Sequence, residues 1–161
     1  MQKTWIRAVT TLMTAAMMIL IFCFSTEPAE RSDATSGVLS QRIADLLNPG
    51  WREMPAEARK EYFDRVQYAV RKCAHFTEFA LLGFSLRLCL ESWFGRKKRR
   101  LPESWAGGTL YAALDELHQA LVDGRNGQWT DVLLDSSGAL AGALIAAGLA
   151  GLIYQAGRKE S

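Results

Sequence analysis

A long apolar stretch near the amino terminus restricts the folds open to this chain of 161 residues. No charged residue occurs between Arg7 and Glu27, and a helix of about 20 apolar residues crosses the core of a bilayer. We predict a membrane span at residues 6–24. A signal peptide is the alternative, but the run exceeds the usual apolar region of about 7–15 residues and no small-residue cleavage motif follows it. We therefore expect an uncleaved anchor.

Further apolar stretches follow at residues 73–94, 104–122 and 132–154. With the first, they predict an all-α fold in which four helices form a transmembrane bundle, and we treat residues 1–161 as a single membrane domain. Overall composition hides this, because 49% hydrophobic and 22% charged residues are also typical of a soluble domain. The second and third stretches contain ionisable residues, which are costly in lipid, so we expect their polar faces to meet inside the bundle.

The segment between the first two spans, residues 25–66, is polar and predicts an amphipathic helical loop on the extracytoplasmic side. Apolar residues recur at helical spacing from Leu39 to Leu47, and the turn-forming residues Asn48, Pro49 and Gly50 end that helix. A second helix is predicted to begin near Pro55. These helices either lie on the membrane surface or pack on the bundle.

Basic residues predict the orientation in the membrane. Lys3 and Arg7 precede the first span, residues 96–100 (RKKRR) separate the second from the third, and Arg158 and Lys159 follow the fourth. Four spans put all of these on one side, which the positive-inside rule makes cytoplasmic. We predict a multi-pass protein of the cell membrane with both termini cytoplasmic. Since this topology explains the basic cluster and the net charge is only +2, we expect no binding of nucleic acid.

Small residues recur every four positions along the fourth span, at Gly138, Gly142, Ala146 and Ala150. This spacing permits close contact between helices. The contact is either internal or with a second copy of the chain. We expect it to be internal, because the polar faces of the four helices need burial, with a homo-oligomer through the Gly138 and Gly142 face as the alternative.

Ionisable and amide residues within the spans fall at one level near the predicted outer face. They are Lys72, His75 and Glu78 of the second span, Asp115, Glu116, His118 and Gln119 of the third, and Asp131 and Asp135 of the fourth. Because residues three apart share a helix face, His75 is expected beside Glu78, and Asp115 beside His118. Arg87 is the exception, since it lies near the inner end, where we expect it to extend to the interface.

Three interpretations of this cluster remain open. It is a hydrogen-bond and salt-bridge network with Lys72 and Arg125 that holds the helices in register. It is an acid/base site for an exterior-facing substrate, with the candidates His75, Glu78, Asp115, Glu116 and His118. Or it binds a divalent metal ion, with the candidates His75, Glu78, Asp115 and His118.

The predicted turn at residues 124–127 carries Arg125, which suits a carboxylate or a phosphate. Lys72 is placed to assist it from the second span. We therefore expect an anionic ligand such as a lipid phosphate, with Lys72, Gln119, Arg125 and Asp131 as ligand-binding candidates. The alternative is that Arg125 pairs with Asp131 or Asp115.

Several motifs occur in a fixed order along the chain: FS at residues 24–25, KCAHFTEF at 72–79, DELHQ at 115–119, GR at 124–125, Asp131, and GALAG at 138–142. Together they resemble the VanZ-like family of bacterial integral membrane proteins. The resemblance spans roughly residues 5–150, and the segment 25–66 is its least typical part. The polar residues that it carries over are Lys72, His75, Glu78, Asp115, Glu116, His118, Gln119, Arg125 and Asp131.

The resemblance implies a small protein of the bacterial cell envelope. The member that gives the family its name is associated with resistance to teicoplanin, a lipid-tailed glycopeptide antibiotic, but the family implies no established reaction. We expect binding or processing of an amphiphilic anionic envelope molecule at the outer face, either a lipid-linked cell-wall intermediate or a lipoglycopeptide. A membrane enzyme that uses the histidine and carboxylate cluster is the first alternative, and a small transporter is the second.

Overall fold

The computed structural model describes residues 2–95, 100–122, 124–125 and 127–159. These residues form the helices α1 (Gln2–Ser25), α2 (Ala29–Leu47), α3 (Ala56–Phe94), α4 (Arg100–Gln119) and α5 (Trp129–Lys159), with a single 3-10 turn at Trp51–Glu53. No strand occurs in the described part of the chain, which confirms the all-α prediction. Residues 96–99 of the basic cluster, and Asp123 and Asn126 of the loop before α5, lie outside the described residues.

Two helix boundaries differ from the predictions. The second predicted span and the helix before it are one continuous helix, α3, which is 39 residues long, because neither Pro nor Gly interrupts residues 56–82. The helix α2 begins at Ala29, directly after Pro28, and not near Leu39. Apolar spacing reveals only the part of a helix that has a face to bury, so it misses the polar first turns of α2.

The helices α1, α3, α4 and α5 lie side by side. Contacts between their ends show which of them are parallel and which are antiparallel. The Gln119 amide at the end of α4 lies 3.5 Å from the Ser25 hydroxyl at the end of α1, so these two helices run in parallel. The Thr10 hydroxyl near the beginning of α1 lies 3.0 Å from the Ser92 hydroxyl near the end of α3, so α1 and α3 are antiparallel.

Glycines bring α3 and α5 into direct backbone contact. A Cβ atom on Gly142 would lie 1.7 Å from the carbonyl oxygen of Ala80, and one on Gly138 would lie 2.4 Å from the carbonyl oxygen of Phe76. The two helices therefore run in parallel with their backbones too close for any side chain between them. Gly138 and Gly142 thus serve internal packing, the first of the two possibilities that their spacing raised.

The surface of the molecule is that of a membrane protein. Large apolar side chains lie exposed along several helices, among them Leu12, Ile19, Leu81, Leu144 and Leu152, and apolar patches of this extent are rare on soluble monomers. By length and composition, the helical segments Thr4–Ser25, Ala56–Phe94 and Trp129–Leu152 are able to cross a membrane. They correspond to the first, second and fourth predicted spans.

The third predicted span, residues 104–122, corresponds to α4, which is too polar to count among these segments. Every stretch of 18 residues in α4 contains Glu103, Asp115 and Glu116. The side chains of Asp115 and Glu116 are nevertheless buried, with 4% and 5% exposure. Their charge faces neighbouring helices, so α4 depends on its partners for the burial of its polar groups.

The helix α2 packs against the first turns of α3 and forms a helical hairpin with it. Its small core contains Ala44, Trp51 and Val66. The turn between the helices is fastened by Asp45, which accepts a hydrogen bond of 2.6 Å from the Trp51 indole and two of 3.0 Å from Arg52. The hydrogen bonds from Arg52 and then Trp51 hold the pKa of the Asp45 carboxyl below its ordinary value. The helix α2 therefore packs on the first turns of α3, and its placement relative to the membrane surface stays a prediction.

Candidate functional site

Polar side chains from three helices meet at one level, beside the end of α1. Lys72 of α3 forms an ion pair with Asp131 of α5. Arg125, which precedes α5, donates hydrogen bonds to the side-chain oxygen of Gln119 at 3.1 Å and to the carbonyl oxygen of Phe24 at 3.2 Å. The pairing of Arg125 with Asp131 or Asp115 that we considered is not among these contacts, because Asp131 pairs with Lys72 and the Gln119 amide lies between Arg125 and Asp115.

Beneath this level lies a buried cluster that we call the His–Asp–Asp cluster: His75 of α3, Asp115 of α4 and Asp135 of α5. One nitrogen or oxygen atom from each lies within 4.8 Å of those of the other two. Asp135 is completely buried, and its Oδ2 lies 3.9 Å from His75 Nδ1, which is too long for a hydrogen bond. Among the described residues, neither oxygen of Asp135 nor Nδ1 of His75 has a hydrogen-bond partner.

A short chain of hydrogen bonds orients Asp115. The Nε2 amide of Gln119 donates to Asp115 Oδ2 at 2.8 Å, and Arg125 donates to the Oε1 of the same Gln119. Because a guanidinium only donates, Oε1 must face Arg125 and Nε2 must face the carboxylate. Arg125 therefore fixes the position of Asp115 through Gln119.

Two of the predicted site residues face other parts of the molecule. The His118 ring stacks on Phe22 of α1 with a centroid distance of 4.8 Å, and its Nε2 lies 3.5 Å from the Thr26 hydroxyl. Glu116 accepts a hydrogen bond of 2.8 Å from the backbone N–H of Gln128 and so holds the segment that leads into α5. Hence His118 does not lie beside Asp115 on a shared face, although the two are three residues apart.

A polar cleft of about 230 Å³ opens above the His–Asp–Asp cluster. All four ligand-binding candidates, Lys72, Gln119, Arg125 and Asp131, lie together in its lining, with His75 and Arg71. An apolar groove of about 800 Å³ runs along α2 and α3 and is lined by Leu39, Ile43, Leu47, Val66 and Val70 among others. Glu78 lies at the inner end of this groove and is half-buried.

A connecting cavity of about 240 Å³ joins the two. It shares Ser32, Arg71, His75 and Arg125 with the polar cleft, and Leu39, Val70, Ala74 and Glu78 with the apolar groove. Its lining therefore combines basic residues of the polar cleft with apolar residues of the groove, and it also contains the carboxylates of Glu27 and Glu78.

The VanZ/LLP1 family profile matches residues 10–153, which is most of the chain. The chain belongs to the VanZ/LLP1 family. The resemblance drawn from the motifs is thereby confirmed, and the matched range runs through residues 25–66, where the motifs were least typical. No curated protein and no solved structure matches the chain.

In this VanZ/LLP1 protein, the residue that sequence reasoning left out of the candidate site is Asp135. It occurs early in α5, where an acidic residue is explained equally well by attraction to the helix dipole. The available signal was its spacing: Asp135 lies one turn after Asp131 and three residues before Gly138, on the face that packs against α3. Of the four predicted metal ligands, the structure brings together His75 and Asp115, and Asp135 is the third member of their cluster.

Proposed function

We propose that this VanZ/LLP1 protein binds an amphiphilic anionic molecule of the bacterial cell envelope, with the anionic headgroup in the polar cleft and the apolar tail in the apolar groove. The observation that carries the proposal is the continuity of the two through the connecting cavity. A molecule with one charged end and one hydrocarbon end matches the polar cleft with its charged end and the apolar groove with its hydrocarbon end. A small hydrophilic solute matches only the cleft.

The headgroup contacts follow from the charges in the cleft. Arg125 presents a guanidinium, which forms paired hydrogen bonds with a phosphate or carboxylate. Lys72 lies across the same cleft. Its ammonium group pairs with Asp131, and a bound anion would share that ammonium group with the carboxylate.

The tail contacts follow from the composition of the groove. Its lining is aliphatic over most of its length, with side chains from both α2 and α3. Transfer of a methylene group from water to such a surface contributes about 0.8 kcal/mol. Selectivity for lipid-linked over tailless ligands therefore resides in the hairpin of α2 and α3.

We further propose that α4 also crosses the membrane, as the third of four spans, so that residues 1–161 form a single membrane domain with both termini in the cytoplasm. The packing supports this, because Arg100 at the beginning of α4 contacts the Phe94 carbonyl group at the end of α3, at 3.2 Å, and Gln119 at its other end lies beside Ser25. Arg7 also contacts the end of α3. The positive-inside rule places this end in the cytoplasm and the polar cleft on the outer face.

Two ligand sources share this chemistry: a lipid-linked cell-wall intermediate, and a lipoglycopeptide such as teicoplanin. Binding of the second would contribute to glycopeptide resistance. The shared features are an anionic group and a hydrocarbon tail. The experiment below separates the two sources.

The test is ligand binding to the purified full-length protein in nanodiscs. The probes are undecaprenyl phosphate, teicoplanin and a glycopeptide without a lipid tail. We expect Arg125→Gln to weaken binding of the lipid-tailed probes by about tenfold or more, since a hydrogen bond to a charged group contributes about 1.5–3 kcal/mol. We expect His75→Asn to weaken it too, while the control Arg52→Gln in the distant hairpin turn leaves affinity unchanged.

The tailless glycopeptide should bind weakly to every form of the protein. Undecaprenyl phosphate and teicoplanin are compared directly, and the tighter of the two identifies the source of the ligand. Wild-type affinity in both Arg125→Gln and His75→Asn, with the protein still inserted in the membrane, would reject the proposal.

A second candidate function, acid/base catalysis on the same class of molecule, is favoured by the position of His75. Its side chain lines the polar cleft and also faces the buried Asp135. A histidine with a carboxylate 3.9 Å away on one side and a cleft open to a ligand on the other is suited to proton transfer. Turnover of a lipid-linked substrate by the wild-type protein, lost in His75→Asn while binding persists, would distinguish catalysis from binding alone.

A further inference from the structure

We propose that the His–Asp–Asp cluster is a binding site for one divalent transition-metal ion, with zinc as the preferred ion. The ligands are His75, Asp115 and Asp135, which come from α3, α4 and α5. The inference stands on the packing of these helices and does not depend on which envelope molecule occupies the polar cleft. It also differs from the set of metal ligands that residue spacing indicated, since Asp135 replaces both Glu78 and His118.

The first argument is that buried oxygen and nitrogen atoms of the cluster lack hydrogen-bond partners. Asp135 is completely buried, and both of its oxygens lack a hydrogen-bond partner among the described residues, as does the buried Nδ1 of His75. An ionised carboxylate in such a place is strongly unfavourable unless a cation or hydrogen-bond donors compensate it. One metal ion between His75 and the two aspartates compensates all three side chains at once.

The second argument is that the neighbouring cations are engaged elsewhere. Lys72 pairs with Asp131. Arg125 donates to Gln119 and to the carbonyl group of Phe24. Neither of these contacts reaches Asp135, so these two basic side chains of the polar cleft do not pair with it.

The third argument is geometric. Donor atoms around a tetrahedral ion with bonds of about 2.1 Å lie roughly 3.4 Å apart. His75 Nδ1 and Asp135 Oδ2 are 3.9 Å apart, and the donor atoms of all three residues lie within 4.8 Å of one another. Side-chain rotations close gaps of this size, so the helix backbones, held together by Gly138 and Gly142, need not move.

The donor set indicates the ion. Imidazole nitrogen is a ligand for zinc and its transition-metal neighbours, whereas magnesium and calcium prefer sites made of oxygen alone. Gln119 orients Asp115 from behind, in turn held by Arg125, as expected for the hydrogen-bonded carboxylate ligands of metal sites. Three protein ligands also leave a fourth position open, as in catalytic zinc sites.

The test uses the full-length protein with its purification tag removed, stripped with a chelator and then incubated with zinc or manganese in nanodiscs. After removal of free ions, elemental analysis should find one zinc ion per chain in the wild type. We expect His75→Asn and Asp135→Asn to lose at least nine-tenths of it. The matched controls are His118→Asn, which changes the only other histidine, and Glu78→Gln, which changes a carboxylate on α3; both should retain one ion.

A second measurement guards against variants that merely misfold. In the metal-free state, Asp135→Asn should unfold at the same temperature as the wild type or a higher one, because it replaces a buried carboxyl group that makes no hydrogen bond among the described residues. Zinc should raise the unfolding temperature of the wild type and of His118→Asn but not of Asp135→Asn. A structural network without a metal predicts the opposite, a lower unfolding temperature for Asp135→Asn in the absence of zinc.

The proposal is overturned if the wild type retains no zinc or manganese, or if His118→Asn removes the ion as completely as His75→Asn. Preference for manganese over zinc would keep the site and overturn the assignment of the ion. These outcomes are read from bound metal and unfolding temperature, whereas the envelope ligand is tested by the binding affinity of Arg125→Gln. Asp135→Asn enters only the metal test, so failure of one proposal is distinguishable from failure of the other.

Discussion

Two buried charged side chains have contrasting environments: one pairs with an opposite charge, and the other lies among possible metal ligands. Arg87 illustrates the first case. It is only 4% exposed and donates to Glu91 one turn further along α3, with an Nε–Oε1 distance of 2.8 Å. The expectation that Arg87 extends to the membrane interface was therefore wrong, because a carboxylate within reach on the same helix compensates its charge. Asp135 illustrates the second case, since it has no such partner on α5.

Glu91→Ala should lower the free energy of unfolding by about 3 kcal/mol, since removal of one partner of a buried ion pair leaves an uncompensated charge. The matched control is Glu61→Ala, which breaks the pair with Arg65 on the same helix. Both side chains of that pair are largely exposed, so the loss there should stay below about 1 kcal/mol. Reversible unfolding in mixed detergent micelles measures both variants. If Glu91→Ala lowered the free energy of unfolding no more than Glu61→Ala, the buried pair of Arg87 and Glu91 would contribute no more than an exposed pair.

At the scale of helices, the contact between α3 and α5 does most to place the site. It brings Lys72 against Asp131 and His75 near Asp135, and its closeness depends on glycine. The carbonyl oxygen of Ala80 occupies the position that a side chain at residue 142 would need. The same helix also contains Gly148, which has open space where its Cβ would lie.

Gly142→Ala should push α5 away from α3 and lower the free energy of unfolding by about 2 kcal/mol or more, as overpacking does in closely packed interiors. Gly148→Ala is the control, and it should be neutral or stabilise the protein by up to about 1 kcal/mol through helix propensity. Thermal unfolding in detergent compares them. If Gly142→Ala behaved like Gly148→Ala, the two helices would not be in backbone contact.

For the molecule as a whole, the arrangement of α1, α3, α4 and α5 explains how a helix as polar as α4 belongs to a membrane protein. Its carboxylates at Asp115 and Glu116 are buried, and they accept hydrogen bonds from Gln119 of the same helix and from the backbone of Gln128 before α5. Apolar side chains such as Leu110 and Leu117 face outward. The mean hydropathy of α4 is therefore low, because it includes the polar residues of the inner face as well as the apolar residues of the outer face. If all four helices cross the membrane, as proposed, the side of the membrane on which each connecting segment lies is predicted.

Single cysteines at three exposed positions test the crossings, after the native Cys23, Cys73 and Cys89 are replaced by serine. The substitutions are Glu57→Cys, Pro102→Cys and Gln128→Cys. A membrane-impermeant maleimide applied to intact cells should label the first and third but not the second, which should react only after permeabilisation. Labelling of Pro102→Cys and Gln128→Cys from the same side would show that α4 does not cross the membrane.

Composition and residue spacing along the chain are enough to predict the helical class, the three segments able to cross a membrane, and the family. They also predict the level at which Lys72, Gln119, Arg125 and Asp131 meet. The reason is that partitioning of a helix into lipid depends on the average over about 20 residues, and that depth in a span follows directly from position in the chain. Neither property requires knowledge of a neighbouring helix.

Which side chains touch depends on how the helices are rotated and packed. Asp115 and His118 illustrate this: a step of three residues turns the helix by roughly 300°, which leaves an offset of about 60°. That offset directs Asp115 into the bundle and His118 towards Phe22 of α1. The proximity of His75 to Asp135, like the packing of α2 on α3, arises only when the helices come together, because it depends on distances between segments that are remote in sequence.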